Sequence, residues 1–186
     1  MKARRVQIFL LVSMLCAPLM SIFPELTVGQ IYGLNFVDVD GNKFSTTDGR
    51  VTVVVLATQS DTDKARTVGD RVPEYCLGDP TYRMITVLNF QKKRSKPVRM
   101  ILGAVVRRRL DAEAQRLQPR YTAKKIAHDP RRDVFAVADF DGSVVAGLGA
   151  RFEASDFRVF VFGRNGELLR QWNDVPTAAQ LAAAVR

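Results

Sequence analysis

Hydrophobic positions change their period several times along the chain, and each change predicts an element. Asn35-Phe36-Val37-Asp38-Val39 alternates, Asp40-Gly41 supplies a turn, and Asn42-Lys43-Phe44-Ser45 answers it, which predicts a hairpin. After a second turn at Asp48-Gly49, the run Val51 to Ala57 is apolar on both faces, the pattern of a central strand covered on both sides. Polar residues then take over abruptly. Ser60 is placed to cap a helix with Asp63 three residues on, close to a capping box, and Asp61 and Asp63 suit the positive end of the helix dipole. Ala65, Val68 and Val72 give that helix its stripe, and Pro73 is expected to end it.

The second half continues the alternation of strand and helix. Tyr82 to Phe90 reads as another buried strand, and a basic loop from Gln91 to Pro97 follows it. Leu102, Val106, Leu110, Ala114 and Leu117 recur at spacings of 4, 4, 4 and 3, predicting a helix that Pro119 should end. Val134 to Ala138 is a third apolar strand, and Ser143 to Ala150 has room for one or two helical turns. Phe157 to Phe162 and Glu167 to Trp172 flank Asn165-Gly166, a strong hairpin signal. A last helix is expected to start near Asp174 as N-cap, with Leu181 and Val185 as its apolar stripe. Alternating strands and helices closed by an antiparallel hairpin imply a mixed sheet covered on both faces.

Composition narrows the class. At 186 residues, 47% hydrophobic and 25% charged, the chain suits one globular domain rather than a disordered or polytopic membrane protein. The formal charge of +9 is concentrated: from Lys92 to Arg132 there are 14 Lys and Arg against 3 Asp and Glu. That segment is either a solvated helix face or a contact for an anionic membrane surface. Nucleic acid is not the expected partner, because no aromatic-basic interleaving accompanies the charge. Arg107, Arg108 and Arg109 fan over roughly 200° of a helix and so cannot form one tight patch.

The N-terminus has the form of an export signal, with Lys2, Arg4 and Arg5 before the apolar run Val6 to Leu15. Residues 1–23 are expected to be a signal peptide or membrane anchor, and 24–186 the folded domain. Three forms remain open: a cleaved signal, an uncleaved anchor, and a lipoprotein signal at Cys16, where Leu15 stands in place of the preferred small residue. The expected location is extracytoplasmic or periplasmic. Of the two cysteines, Cys16 lies in the leader, so a processed chain would carry Cys76 alone and no internal disulfide.

The order of elements, with these loops, resembles the thioredoxin-like fold, specifically exported redoxins of the TlpA and peroxiredoxin-like type, from Val28 to the C-terminus. Val28-Gly29-Gln30 followed by Phe36-Val37-Asp38-Val39-Asp40-Gly41-Asn42 is similar to the family's opening G-x-x-x-P-x-F-x-L-x-D-x-D-G. Val53 to Thr58 is similar to the strand that leads to the redox motif, and Val161 to Leu168 to the terminal hairpin. The resemblance implies an α/β, three-layer α/β/α sandwich with a mixed central sheet, an N-terminal hairpin, and a C-terminal hairpin plus helix.

Its departures fall at the active site. Redox-active members read A-T-W-C-x-x-C at the strand tip, whereas here Ala57-Thr58 is followed by Gln59, with Ser60 and Asp63 at the two cysteine positions. A serine hydroxyl cannot replace a thiolate whose pKa is lowered at a helix N-terminus, and it forms no disulfide. The family's cis-proline should fall near Asp156-Phe157, where no proline stands, and Thr58 with Asp61 does not meet the peroxidatic T-x-x-C. The resemblance thus implies the fold without dithiol catalysis: an exported, non-catalytic module binding a protein or peptide. The alternative is a thiol oxidoreductase or antioxidant protein working through Cys76.

Other chemistry has thin support. Cys76 reads as a buried structural thiol or a site of intermolecular disulfide formation. His128, beside Asp129, has no identifiable nucleophile and reads as a loop residue. Asp38, Asp40, Gly41 and Asn42 resemble a Ca²⁺ loop faintly but lack its later acidic ligand, so a turn is expected. One histidine and one processed-chain cysteine make zinc improbable, and no phosphate-binding glycine motif occurs, so no cofactor or metal is expected.

Overall fold

The computed structural model describes residues 25–154 and 156–186. Its elements in chain order are β1 (Asn35–Val37), β2 (Lys43–Ser45), β3 (Val51–Ala57), α1 (Thr62–Arg71), β4 (Tyr82–Asn89), α2 (Lys96–Ala123), β5 (Phe135–Asp139), α3 (Ser143–Gly147), β6 (Arg158–Phe162), β7 (Leu168–Trp172) and α4 (Ala178–Ala184). The run without a polar face became the middle of the sheet: all seven residues of β3 are buried. Strand order is β5-β4-β3-β6-β7. β3 pairs parallel with β4 and β4 with β5, while β6 and β7 join antiparallel. This is the expected mixed sheet, with β1 and β2 forming a separate small hairpin.

Side chains of β3 alternate between two cores. Val54 and Leu56 join Ile85, Val87, Phe160 and Phe162 beneath α3 and β1. Val53 and Val55 join Val159 and Val161 beneath α1 and α4. Full burial of a Val or Leu stabilises by about 1.5–3 kcal/mol, so this strand is a main source of stability. A third cluster places Val106 and Leu110 of α2 over Phe90 and Ala136.

Arg83 locks the small hairpin to the sheet. It is buried on β4, pairs with Asp48 at 2.7 Å, and donates to the Ser45 carbonyl and the Thr52 hydroxyl, both at 2.9 Å. Burial raises the Asp48 pKa, but the Arg83 hydrogen bond and charge outweigh it and hold the carboxyl below its usual range. The Asp38 cluster is a turn, as expected: one Asp38 oxygen accepts the Asp40 and Asn42 N–H groups at 2.9 and 2.7 Å. At the opposite hairpin Gly166 has φ +85°, and a Cβ there would lie 2.8 Å from the Tyr32 carbonyl oxygen.

Two predicted helix limits are corrected. α2 does not stop at Pro119 but continues through it to Ala123. Pro119 lies on the exposed side, and two residues on Tyr121 is fully buried, which anchors the last turn despite the lost backbone hydrogen bond. The last helix is capped by Thr177, not Asp174: the Thr177 hydroxyl accepts from Gln180 N and Gln180 Oε1 accepts from Thr177 N. That reciprocal box fixes the start three residues later.

Candidate functional site

The tip of β3 is where strand becomes helix. Thr58, 3% exposed, ends the strand in extended geometry, and Gln59–Asp61 makes one turn of 3₁₀ helix before α1. Asp61 reaches back across that turn. Its Oδ2 accepts the Thr58 N–H at 2.9 Å and the Thr58 hydroxyl at 2.5 Å. Because the Thr58 proton is used there, the Ser60 hydroxyl donates to Thr58 Oγ1, 2.8 Å away. The tip is therefore a closed set of oxygen atoms in which every hydroxyl already has a partner.

This corrects the predicted cap. Ser60 does not cap α1 and Asp63 is not its N3 partner; the capping pair is Thr58 and Asp61, two residues earlier. The inserted 3₁₀ turn shifts the register. Ser60 stands exposed on the turn, and the Asp63 side chain is 96% exposed, 3.6 Å from Arg66. The two residues matched to the cysteine positions thus lie near the start of α1, Ser60 bonded to Thr58 and Asp63 near Arg66.

Across from the tip lie the residues that precede β6. Phe157 is buried, with the Lys64 ammonium 5.3 Å from its ring centroid. Lys64 also pairs with Asp174 at 3.2 Å, and Arg158 pairs with Glu25 and Asp156 at 3.3 and 3.5 Å. Asp156 is engaged by Arg158 rather than by the tip.

Cys76 sits at the other end of α1, in a short 3₁₀ turn (Glu74–Cys76) beyond its C-terminus. Ten helical residues separate it from the tip, about 15 Å of helix. The thiol is buried among Val72, Val51 and Tyr82, and burial, then the Asp79 charge, pushes its pKa up to about 11 despite Lys124 nearby. It is therefore neutral at physiological pH.

His128 is not paired with its neighbour Asp129. Asp129 instead caps the turn Pro130–Asp133 by accepting from Arg131 N, and His128 Nε2 lies 2.7 Å from Asp133 Oδ2. Tyr121 OH donates to the same oxygen, and burial, helped by Asp133, pushes that phenol far above its usual range. The only histidine in the chain is thus committed to Asp133 and not to the tip.

Five of the fourteen Lys and Arg between Lys92 and Arg132 are ion-paired. Arg107 and Arg131 pair with Asp40, Arg116 with Asp70 and Glu113, and Arg120 and Lys124 with Glu74. Apart from Glu113, three residues before Arg116 on α2, these partners come from elements distant in sequence, so local counting could not show them. Among the described residues no group of three or more His, Cys, Asp and Glu is placed to hold a metal ion. None of the described helices is long and apolar enough to cross a membrane, and residues 1–23, with Cys16, lie outside the described residues.

No family model and no curated protein matches the chain. Solved structures do. A candidate thiol:disulfide interchange protein DsbE from Chlorobium tepidum superposes with TM-score 0.52 at 13% identity, over 87% of this chain and 100% of that one. A candidate protein disulfide isomerase from Bacteroides thetaiotaomicron gives TM-score 0.52 at 7% identity, over 86% and 91%. The thioredoxin domain of a thiol-disulfide oxidoreductase from Bacteroides vulgatus gives 0.50 at 10%, over 87% and 100%. The fold is thioredoxin-like. At these identities the likeness shows the fold alone.

Proposed function

We propose that this is an exported thioredoxin-like module with a degenerate redox site, which binds a protein or peptide without catalysing thiol exchange. One observation carries the reading: the β3 tip presents Thr58, Ser60 and Asp61 in a closed hydrogen-bond set, while Cys76 is buried and neutral. The sequence resemblance supports this, since it sets Ser60 and Asp63 at the two cysteine positions of redox-active redoxins. Export is supported by the basic and apolar pattern of residues 1–15. The alternative, a thiol oxidoreductase or antioxidant protein using Cys76, has the thiol pKa of about 11 against it. Insulin reduction by dithiothreitol tests the choice. The wild-type chain should give the rate of a Cys16→Ser/Cys76→Ser control, and turnover above that control would sink the non-catalytic reading.

A second reading, attachment to an anionic membrane surface, is favoured by the start of α2. Val98, Met100, Ile101 and Val105 are exposed there, 39 to 76% each, behind the basic loop of Lys92, Lys93, Arg94 and Lys96. Exposed apolar groups ringed by cations suit a headgroup interface. Cosedimentation with phosphatidylglycerol vesicles should fall with added salt and with Ile101→Glu. Binding that ignores both, or no binding, removes this reading.

A further inference from the structure

On one side of the sheet the two long helices stand apart. α1 packs on β3 and α2 on β5, and their apolar clusters are separate. β4 runs between those strands with neither helix directly over it on this side, while α3 covers its other face. Its residues on this side, Met84, Thr86 and Leu88, are only half-buried, whereas Ile85 and Val87 on the other face are fully buried. A cavity of about 1040 Å³ occupies the gap, with Met84, Thr86 and Leu88 as floor and Val106, Leu110 and Val72 on its walls. Protein interiors leave few voids larger than a water molecule, and ligand sites run to roughly 300–1,000 Å³, so this space has the scale of a binding site.

What closes the cavity is ionic rather than apolar. Arg66 on α1 pairs with Glu113 on α2 at 3.3 Å, and Arg116 on α2 pairs with Asp70 on α1 at 2.7 Å. All four side chains are partly exposed, and such surface pairs exchange readily with water. The two helices are therefore bridged over the cavity by weak surface ion pairs.

The lining is also biased in charge. Of its carboxylates, Glu113 is committed to Arg66 and Arg116, and Asp133 to Tyr121 and His128. Asp79 accepts from the Thr81 N–H. Arg109 and Arg132 also line the cavity, and among the described residues neither has an acidic partner. A guanidinium presents forked donors suited to carboxylate or phosphate.

We propose that the cavity between α1 and α2 binds a single-chain amphiphile with an anionic headgroup. The chain lies on Met84, Thr86 and Leu88, and the headgroup meets Arg109 and Arg132. The cavity reaches Ala57 and Thr62 below the tip and Cys76 at the far end of α1, but Thr58, Ser60 and Asp61 are not among its lining, so loss of amphiphile binding would leave the non-catalytic reading of the tip standing.

The test uses the full chain, freed of lipid, and the fluorescent probe 11-(dansylamino)undecanoate. The wild type should bind it saturably at one site with a blue-shifted emission. Palmitate and lysophosphatidate should each displace it, and the stronger competitor identifies carboxylate or phosphate as the headgroup. Thr86→Phe, which fills the floor, should weaken binding at least tenfold while leaving the melting temperature unchanged or higher; Leu88→Trp serves as a second filling variant. Arg109→Gln with Arg132→Gln should raise the palmitate inhibition constant at least fivefold and leave that of hexadecanol unchanged. Absence of saturable binding by the wild type, or undiminished binding in both folded filling variants, overturns the site. An equal change for palmitate and hexadecanol overturns the headgroup assignment.

Discussion

At the N-terminal end of α1 the helix offers partial positive charge, and the residues set there are Thr58, Ser60 and Asp61, all oxygen donors and acceptors tied to one another. At the C-terminal end, about 15 Å of helix away, is Cys76, buried and held neutral. Thiol exchange needs a thiol and a stabilising positive environment in one place. In this chain the two stand at opposite ends of one helix. The difference teaches that a thioredoxin-like scaffold keeps its shape from the sheet and its two cores, none of which depends on the chemistry of the tip.

The contrast is broken most strongly by moving a thiol to the tip. Ser60→Cys places a sulfur on the exposed turn, where an ordinary thiol pKa of about 8.5 or lower applies. At pH 7 its iodoacetamide alkylation should exceed that of Cys76 by roughly 100-fold or more, since thiolate fraction sets the rate. Mass spectrometry of the two peptides checks it, and comparable rates would erase the distinction between the ends.

Cys76→Ser sharpens the buried end. It puts a hydroxyl into an apolar cluster in place of a thiol, and should destabilise by about 1–3 kcal/mol in urea unfolding. Asp61→Ala acts on the other end. It removes both hydrogen bonds to Thr58 and should cost about 1 kcal/mol, as losses of a helix cap do. A larger effect at Asp61 than at Cys76 would reverse the ranking of the two ends.

The last expected effect is confined to alkaline pH. The Cys76 pKa is raised to about 11 in the folded chain, so between about 8.5 and that value the unfolded chain gives up a proton that the folded chain keeps. Stability therefore falls as pH rises through this window, with no contribution from this group below it. Cys76→Ala should flatten the slope relative to wild type in urea melts from pH 8 to 11.

Legibility in the sequence followed how local the cause is. The unbroken run Val51 to Ala57, the Asn165-Gly166 turn and the periodic stripe of α2 are local patterns, and each became the element it predicts. Cap positions were less legible because Thr58 and Ser60 are both competent, as are Asp61 and Asp63; the 3₁₀ turn that chooses between them leaves no separate mark. Pro119 misled because the force holding the helix past it is the burial of Tyr121 and its bond to Asp133, a tertiary matter. The Asp133 partner of His128 and the gap between α1 and α2 likewise depend on how elements are spaced in the fold.

The most direct test of the divided site is the pH dependence of Cys76 alkylation in the native, full-length chain, followed on its own peptide. A rate that is slow at neutral pH and rises with a midpoint near 11 is the predicted result. A midpoint at or below about 8.5 would show an accessible, activated thiol and contradict it.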